Sequence, residues 1–388
     1  MKKKIILSDD SKHAHKISHL IELLKINEPL LAEKKVTAGF DGFIDTIVKI
    51  IKNKPDQQPA EVFDTIKEFG SYIVKKEGTS LSLELEELHI KLGGNMPNMS
   101  NVLGKLGVHV NCIGALGYPQ IHEVFKTISP NCHIYSFADP GFSTAFEFKD
   151  GKIMLAHMGA LNTLGWETIK SRIGINILMN LYKESDLLCM VNWGELDATG
   201  DIWKGLMKDV FPCYTLPYEK QIGFFDLSDC SKRSKEAIAE ALLLITEFTQ
   251  YMRVVLSLNK NEGRQIYQVL FEDSNEESLI YLGERIYEKL QVETLLLHSA
   301  KEAVAIHHES TFSCSTFFVS NPQISTGAGD HFNAGFSVAQ LLKLDLESSV
   351  IFANAVSGMY VRSGTSPQLA DVIHFLEKYM KELKLTYP

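Results

Sequence analysis

The chain has 388 residues, 45% of them hydrophobic and 22% charged, with a net charge of -9. That much apolar material supports a large globular core, and the acidic balance excludes a broad cationic surface for nucleic acid as the main partner. The six cysteines form no C-x-x-C pair and the opening MKKKIILSDD is too short for a signal peptide; with no run of about 18 apolar residues to span a membrane, this predicts a reduced, cytoplasmic protein without a membrane partner.

Residues 1–30 read as an N-terminal helical extension, because Ile17, Leu20, Ile21, Leu24 and Ile26 recur at helical spacing. Residues 31–388 read as one α/β domain. A first strand is predicted over Val36–Phe40, followed by the acidic turn Asp41-Gly42-Phe43-Ile44-Asp45. Short apolar runs follow at Val108–Ile113, Leu187–Val191, Gly223–Leu227, Val254–Leu258 and Thr294–Leu297. Such runs suit strands buried on both faces. Helical stretches such as Ser234–Tyr251 and Glu276–Leu290 lie between them. The alternation predicts a mostly parallel sheet with helices on both sides. Thr144–Phe148 and Ile153–Met158, joined by Lys149-Asp150-Gly151-Lys152, read as a β-hairpin set apart from that pattern.

Two glycine-rich loops carry the chemistry. The second is Ser325-Thr326-Gly327-Ala328-Gly329-Asp330, with Phe332, Gly335, Phe336 and Ala339 at helical spacing after it. A helix is predicted to begin near Asp330. Gly327 and Gly329 then allow positive φ and close approach to a ligand. The N–H groups of Ala328, Gly329 and Asp330 would form an anion hole aided by the helix dipole. A carboxylate would repel a merely bound anion. Its presence makes sense if Asp330 takes the proton of an incoming hydroxyl while a phosphoryl group transfers. The first loop is Gly93-Gly94-Asn95-Met96-Pro97-Asn98, opening a helix through Met99, Val102 and Leu106. Its di-glycine would let a substrate sit against the backbone, and Asn98 offers donors and acceptors to hydroxyls. No G-x-x-x-x-G-K-[ST] or protein-kinase signature set occurs, and a dinucleotide-binding G-x-G-x-x-G fails at Phe332.

Together the loops resemble the two signatures of the ribokinase (PfkB) family of carbohydrate kinases. Gly93-Gly94-x-x-x-Asn98 with Leu103 and Leu106-Gly107 matches the first; Thr326-Gly327-Ala328-Gly329-Asp330-x-Phe332-x-x-Gly335-Phe336 matches the second. The resemblance covers roughly residues 36–385. It implies an α/β/α sandwich with a mostly parallel sheet and a small β lid built from segments near 43–54, 80–92 and 140–158. It implies a cytoplasmic phosphotransferase that uses ATP and Mg²⁺ on a sugar-like substrate, with a homodimer through the lid. Asp330 becomes the base and Gly327, Ala328 and Gly329 the anion hole. Asp45, with Asp41 as competitor, grips substrate hydroxyls beside Gly93, Gly94 and Asn98. Asn259, in Asn259-x-x-Glu262, lies with Thr326, Gly327 and Gly329 near the nucleotide, and Glu262 acts on Mg²⁺ through water. Arg233, after Asp226-Leu227-Ser228, steadies phosphate, and Asn354 lies beside the adenine pocket.

The match departs at Ile324, where the family carries aspartate, and at His298-Ser299-Ala300-Lys301-Glu302-Ala303, where the family carries a glycine-rich T-L-G-x-x-G loop. Two rival readings follow: a nucleoside kinase of the same fold, with an aromatic base pocket beside Asp45, and a non-catalytic sugar- or nucleotide-binding regulator. Glu195, just after a strand, is a further candidate for the substrate cleft. His331, beside the proposed base, and the pair His307-His308 read as background.

Overall fold

The computed structural model describes residues 5–6, 10–56, 58–271, 278–308 and 310–386. A ten-stranded sheet runs through its centre. From one edge its strands are Ile5–Ile6, Ser310–Ser315, Glu302–His307, Thr294–His298, Arg253–Asn259, Ile222–Asp226, Leu187–Val191, Lys35–Phe40, His109–Gly114 and Cys132–Ser136. All neighbours are parallel except the two pairs made by Glu302–His307. Leu187–Val191 and Ile222–Asp226 are buried at every position, as apolar runs covered on both faces should be.

Each face carries its own core. One packs the sheet against helices Asp10–Asn27, Asn95–Lys105, Ala328–Leu341, Leu346–Ser363 and Leu369–Thr386; the other packs it against the helices between Trp166 and Leu290. Helix Ala328–Leu341 lies close to Leu346–Ser363 because Gly335 has no side chain. A Cβ there would come within 2.8 Å of the Ala353 Cα. Ile17, Leu20, Ile21 and Leu24 of the first helix are buried in the first core, whereas Ile26, expected on the same apolar stripe, is 72% exposed. Ile26 is two residues past Leu24 and so turns to another side of the helix. Residues 1–4 and 7–9 of the N-terminal segment, and 276–277 of the expected helix Glu276–Leu290, lie outside the described residues.

A second sheet of five strands stands over one end of the first: Phe43–Asn53, Glu61–Val62, Leu85–Gly93, Gly141–Phe148 and Gly151–His157. The predicted Asp-Gly hairpin is present, with Phe148 opposite Gly151. The acidic turn is shorter than its sequence suggested. Only Asp41-Gly42 lies between strands, and Asp45 sits inside Phe43–Asn53. Alternate residues of a strand face opposite sides. Lys91, Asp45, Ser143 and Ala156 are cross-strand neighbours and share one face. Ile50, Phe63, Phe69 and Phe148 give this lid its own small core. No helix among the described residues is long and apolar enough to cross a membrane.

Candidate active site

The C-terminal ends of the parallel strands, the lid and two helix N-termini enclose a cavity of about 530 Å³. Open α/β sheets bind ligands in this position. Asp45 and Ser143 enter from the lid, Asn95 and Asn98 from helix Asn95–Lys105, and Gly327, Gly329 and Asp330 from the start of helix Ala328–Leu341. A second cavity of about 460 Å³ lies beyond, lined by Asn354, Phe317, Phe318, Pro322, Ser357 and Ala328 among others. The two share Asn259, His298 and Gly329. Two binding spaces thus meet at one helix tip.

That tip begins at Ala328, two residues before the position predicted. Gly327 caps it with φ 88°, a conformation that favours glycine. Gly329 is helical rather than positive in φ. A Cβ there would meet His298 in ordinary contact, at 3.6 Å. The expected trio of free amides is reduced. Ala328 N–H already donates to the Ser325 carbonyl at 3.1 Å, which closes the turn. The Gly329 and Asp330 amides take no acceptor among the described residues, so they are the free backbone donors at this end. His331 belongs to the scaffold. Its ring stacks on Tyr360 at 3.5 Å, with its two nitrogens 2.6 Å from the Gly327 carbonyl and 2.9 Å from the Ser366 hydroxyl.

Asp330 is buried. Burial, with Asp226 and Asp41 nearby, pushes its carboxyl well above the usual range, and hydrogen bonds from Asn98 and Asn95 oppose this. Asn98 therefore faces the predicted base. Asn95 does so too, and sequence reasoning passed over it; its place as a polar residue on the first turn of the same helix was the available signal. Burial also raises Asp226, to about 6, and raises Glu262 well above its ordinary value, there with help from the Asp226 charge. The Glu262 carboxylate accepts from the Asn259 backbone at 2.7 Å and from the Asn259 side chain. Asn259-x-x-Glu262 is thus a closed local motif at the seam between the cavities.

The two aspartates after the first strand separate cleanly. Asp45 lines the cavity, its carboxyl raised by burial and lowered in turn by Lys91, Ser143 and Lys152. Asp41 is absent from the cavity walls. Its carboxylate accepts the Asn95 and Met96 amides at 2.8 Å each and the Asn192 side chain at 2.6 Å. It caps a helix, which corrects its candidacy for gripping substrate. The di-glycine also serves the two aspartates. A Cβ on Gly93 would come 2.3 Å from the Asp45 carboxyl, and one on Gly94, at φ 93°, 2.5 Å from that of Asp41. These glycines chiefly make room for the two aspartates; Gly94 alone of the pair also borders the cavity.

Arg233 lines the cavity and is also engaged by its neighbours. Its guanidinium donates to the Gly194 and Trp193 carbonyls at 3.0 and 2.9 Å, pairs with Asp197 at 2.6 Å and covers the Trp193 ring at 4.9 Å. All three nitrogens brace the loop after Leu187–Val191, and two of the five guanidinium N–H groups remain for a further acceptor. Glu195 does line the cavity and holds Lys232 at 2.8 Å. Asn354 lines the second cavity and donates to Cys314 Sγ at 3.2 Å. Where the family has a glycine-rich loop, Ser299 closes the turn. Its N–H donates to the Glu302 carbonyl at 2.8 Å and its hydroxyl accepts the Lys301 and Glu302 amides. Thr326 lines the main cavity, and its carbonyl accepts the Tyr360 hydroxyl at 2.8 Å.

Comparison with known proteins gives the family and the fold. Residues 24–379 match the family model for prokaryotic ketohexokinase. A ketohexokinase of Haloferax volcanii is 29% identical over 352 residues, covering 89% of this chain and 92% of that protein. In overall shape the chain is similar to adenosine kinase of Sinorhizobium meliloti, with a TM-score of 0.62, 16% identity and 89% and 99% of the two chains covered. It is also similar to an E. coli protein described as ribokinase II and solved with ATP and Mg²⁺, with a TM-score of 0.58, 14% identity and 89% and 99% covered. The chain belongs to the prokaryotic ketohexokinase family and is a carbohydrate kinase of the ribokinase (PfkB) type.

Proposed function

We propose that the protein transfers the γ-phosphoryl group of ATP to a hydroxyl of a neutral ketohexose, with Asp330 as general base. The observation that carries the reading is the position of Asp330, on the helix tip where the two cavities meet. The family model and the Haloferax relative support the sugar class. Charge supports a neutral sugar over a sugar acid or sugar phosphate. Asp45, Asp226, Glu262 and Asp330 all line the main cavity, while its cations Lys232 and Arg233 are already paired with Glu195 and Asp197. Beside Asp45 the wall is Phe43, Ser143, Met154 and Ala156. A single aromatic ring there weighs against the nucleoside reading.

In this mechanism Asp45 and Asn98 orient the sugar. Asp330 accepts the hydroxyl proton as that oxygen bonds to the γ-phosphorus and the bond to the ADP oxygen breaks. The Gly329 and Asp330 amides, with the positive end of the helix dipole, stabilise charge on the transferring phosphoryl. Catalysis is by positioning and electrostatics, without a covalent intermediate on the protein. The second cavity would take the nucleotide, with Asn354 and Phe317 in its wall.

The donor set fits Mg²⁺. Among the described residues no three His, Cys, Asp or Glu side chains converge to hold a metal directly, and Mg²⁺ prefers few protein ligands, several waters and substrate phosphates. Glu262 and Asp226 would hold it through water, and the bound ion would neutralise charge on the phosphate oxygens. The lid's outer face exposes Ile90, Phe142 and Leu155, which supports self-association there.

The test is ATP consumption over ketohexoses, aldohexoses, sugar acids, sugar phosphates and nucleosides. The reading expects the highest kcat/KM with a ketohexose. Turnover confined to nucleosides or anionic sugars would sink it.

A further inference from the structure

Two strand ends in the cavity share an uncommon pattern. Asn192 follows Leu187–Val191 with φ 65°, and Ser228 follows Ile222–Asp226 with φ 60°. Non-glycine residues with positive φ are uncommon and cluster at functional sites. Both line the main cavity. The Asn192 Oδ1 and the Ser228 Oγ are each buried without a hydrogen-bond partner among the described residues. Buried polar atoms ordinarily find partners, and an orphan needs a reason.

The Asn192 orphan has a defined chemical sense. Asn192 is 2% exposed. Its backbone N–H donates to the Asp226 carbonyl at 3.0 Å, and its Nδ2 donates to the Asp41 carboxylate at 2.6 Å. A carboxylate only accepts, so the amide cannot turn over without losing that bond. The oxygen left over is a fixed, unpartnered acceptor on a residue that lines the cavity. We infer that Asn192 is a sugar-binding residue whose Oδ1 accepts a hydrogen bond from one substrate hydroxyl and makes the site discriminate against sugars lacking it. This rests on the sugar-kinase reading of the same cavity. It adds the end of strand Leu187–Val191 to the lid and the di-glycine helix as a wall of the sugar site.

The test compares wild type with Asn192→Gly, because glycine adopts the positive φ freely and removes only the side chain. kcat/KM is measured on a ketohexose and on its singly deoxygenated analogues. One analogue is expected to be about tenfold poorer than the parent in wild type, the scale of one good hydrogen bond. Asn192→Gly should lose about tenfold on the parent, mainly in KM, and nothing further on that one analogue. An equal loss on every substrate would assign Asn192 a merely structural role through Asp41, and an unchanged parent would overturn the inference outright. Asn192→Ala repeats the comparison if the glycine variant does not fold. Calorimetric binding of the same sugars reads the same pattern without turnover. A wild type that binds them but consumes no ATP fails the proposed function alone; equal sugar affinity in wild type and variant fails the inference alone.

Discussion

Asp41 and Asn192, 151 residues apart in sequence, are joined by a 2.6 Å hydrogen bond inside the protein. The same carboxylate caps helix Asn95–Lys105 through two backbone amides, and that helix carries Asn95 and Asn98 to Asp330. One buried aspartate therefore ties a strand end, a helix start and the surroundings of the proposed base into one unit.

Removing the base separates chemistry from folding. Asp330→Asn should lower kcat by about 10²–10⁴-fold, the usual scale for a general base. Its Tm should hold or rise, because the change removes a buried carboxyl already disfavoured by Asp226 and Asp41. Steady-state kinetics and thermal melts check both. Near-normal turnover would remove Asp330 from the chemistry.

The glycines of the first loop should differ in kind. Gly93→Ala would drive a methyl into the Asp45 carboxyl, so the expected result is a raised sugar KM with a small change in Tm. Gly94→Ala adds a Cβ where φ is 93° and Asp41 is only 2.5 Å away. That should cost about 1–3 kcal/mol of stability. Denaturant melts beside kinetics distinguish the two, and identical behaviour would contradict the assignment of one glycine to each aspartate.

Asp41 should leave a signature in stability against pH. Burial raises its folded pKa from 3.8 to about 6, with the Met96, Asn192 and Asn95 hydrogen bonds opposing. A raised folded pKa means the native state binds the proton more tightly. The group's contribution is fully present below about pH 4 and is lost as pH rises through about 6. The upper bound is about 3 kcal/mol, from roughly two pKa units at 1.36 kcal/mol each. Buried His298 and His331, held down to about 4 and about 3, act in the opposite sense as pH falls below 6.5. The clean measurement is the stability difference between wild type and Asp41→Asn. Wild type should lose ground to the variant between about pH 4 and pH 6, and the difference should be flat above that. A difference that grows in the other direction would show that the hydrogen bonds outweigh burial.

Arg233→Met tests whether this arginine braces or binds. Its contacts with Gly194, Trp193 and Asp197 predict a lower Tm and an ATP KM within about threefold of wild type, since no charge would be lost from the phosphate site. A large rise in ATP KM at unchanged Tm would restore the phosphate role.

The order of strands and helices, the parallel sheet, the hairpin and both glycine-rich helix starts could be read from the chain, because apolar periodicity and turn chemistry are local properties. The place of Asp330 on the first turn after Gly327 was legible for the same reason. A carboxylate on the first turn after Gly327 conflicts with anion binding unless it serves a reaction. Spatial roles were a different matter. Sequence ranked Asp45 and Asp41 as rivals, and only the close approach of Gly93 and Gly94 sends one to the cavity and the other beneath a helix. Sequence placed Arg233 on phosphate, and only the fold shows that the Trp193–Asp197 loop also engages its guanidinium. Asn95 and Asn192 gave little sign of themselves, since their partners lie far along the chain. Local pattern determines which elements form. Which side chains meet, and which polar atoms are left without partners, depends on contacts between residues a hundred or more positions apart, and those exist only once the sheet has formed.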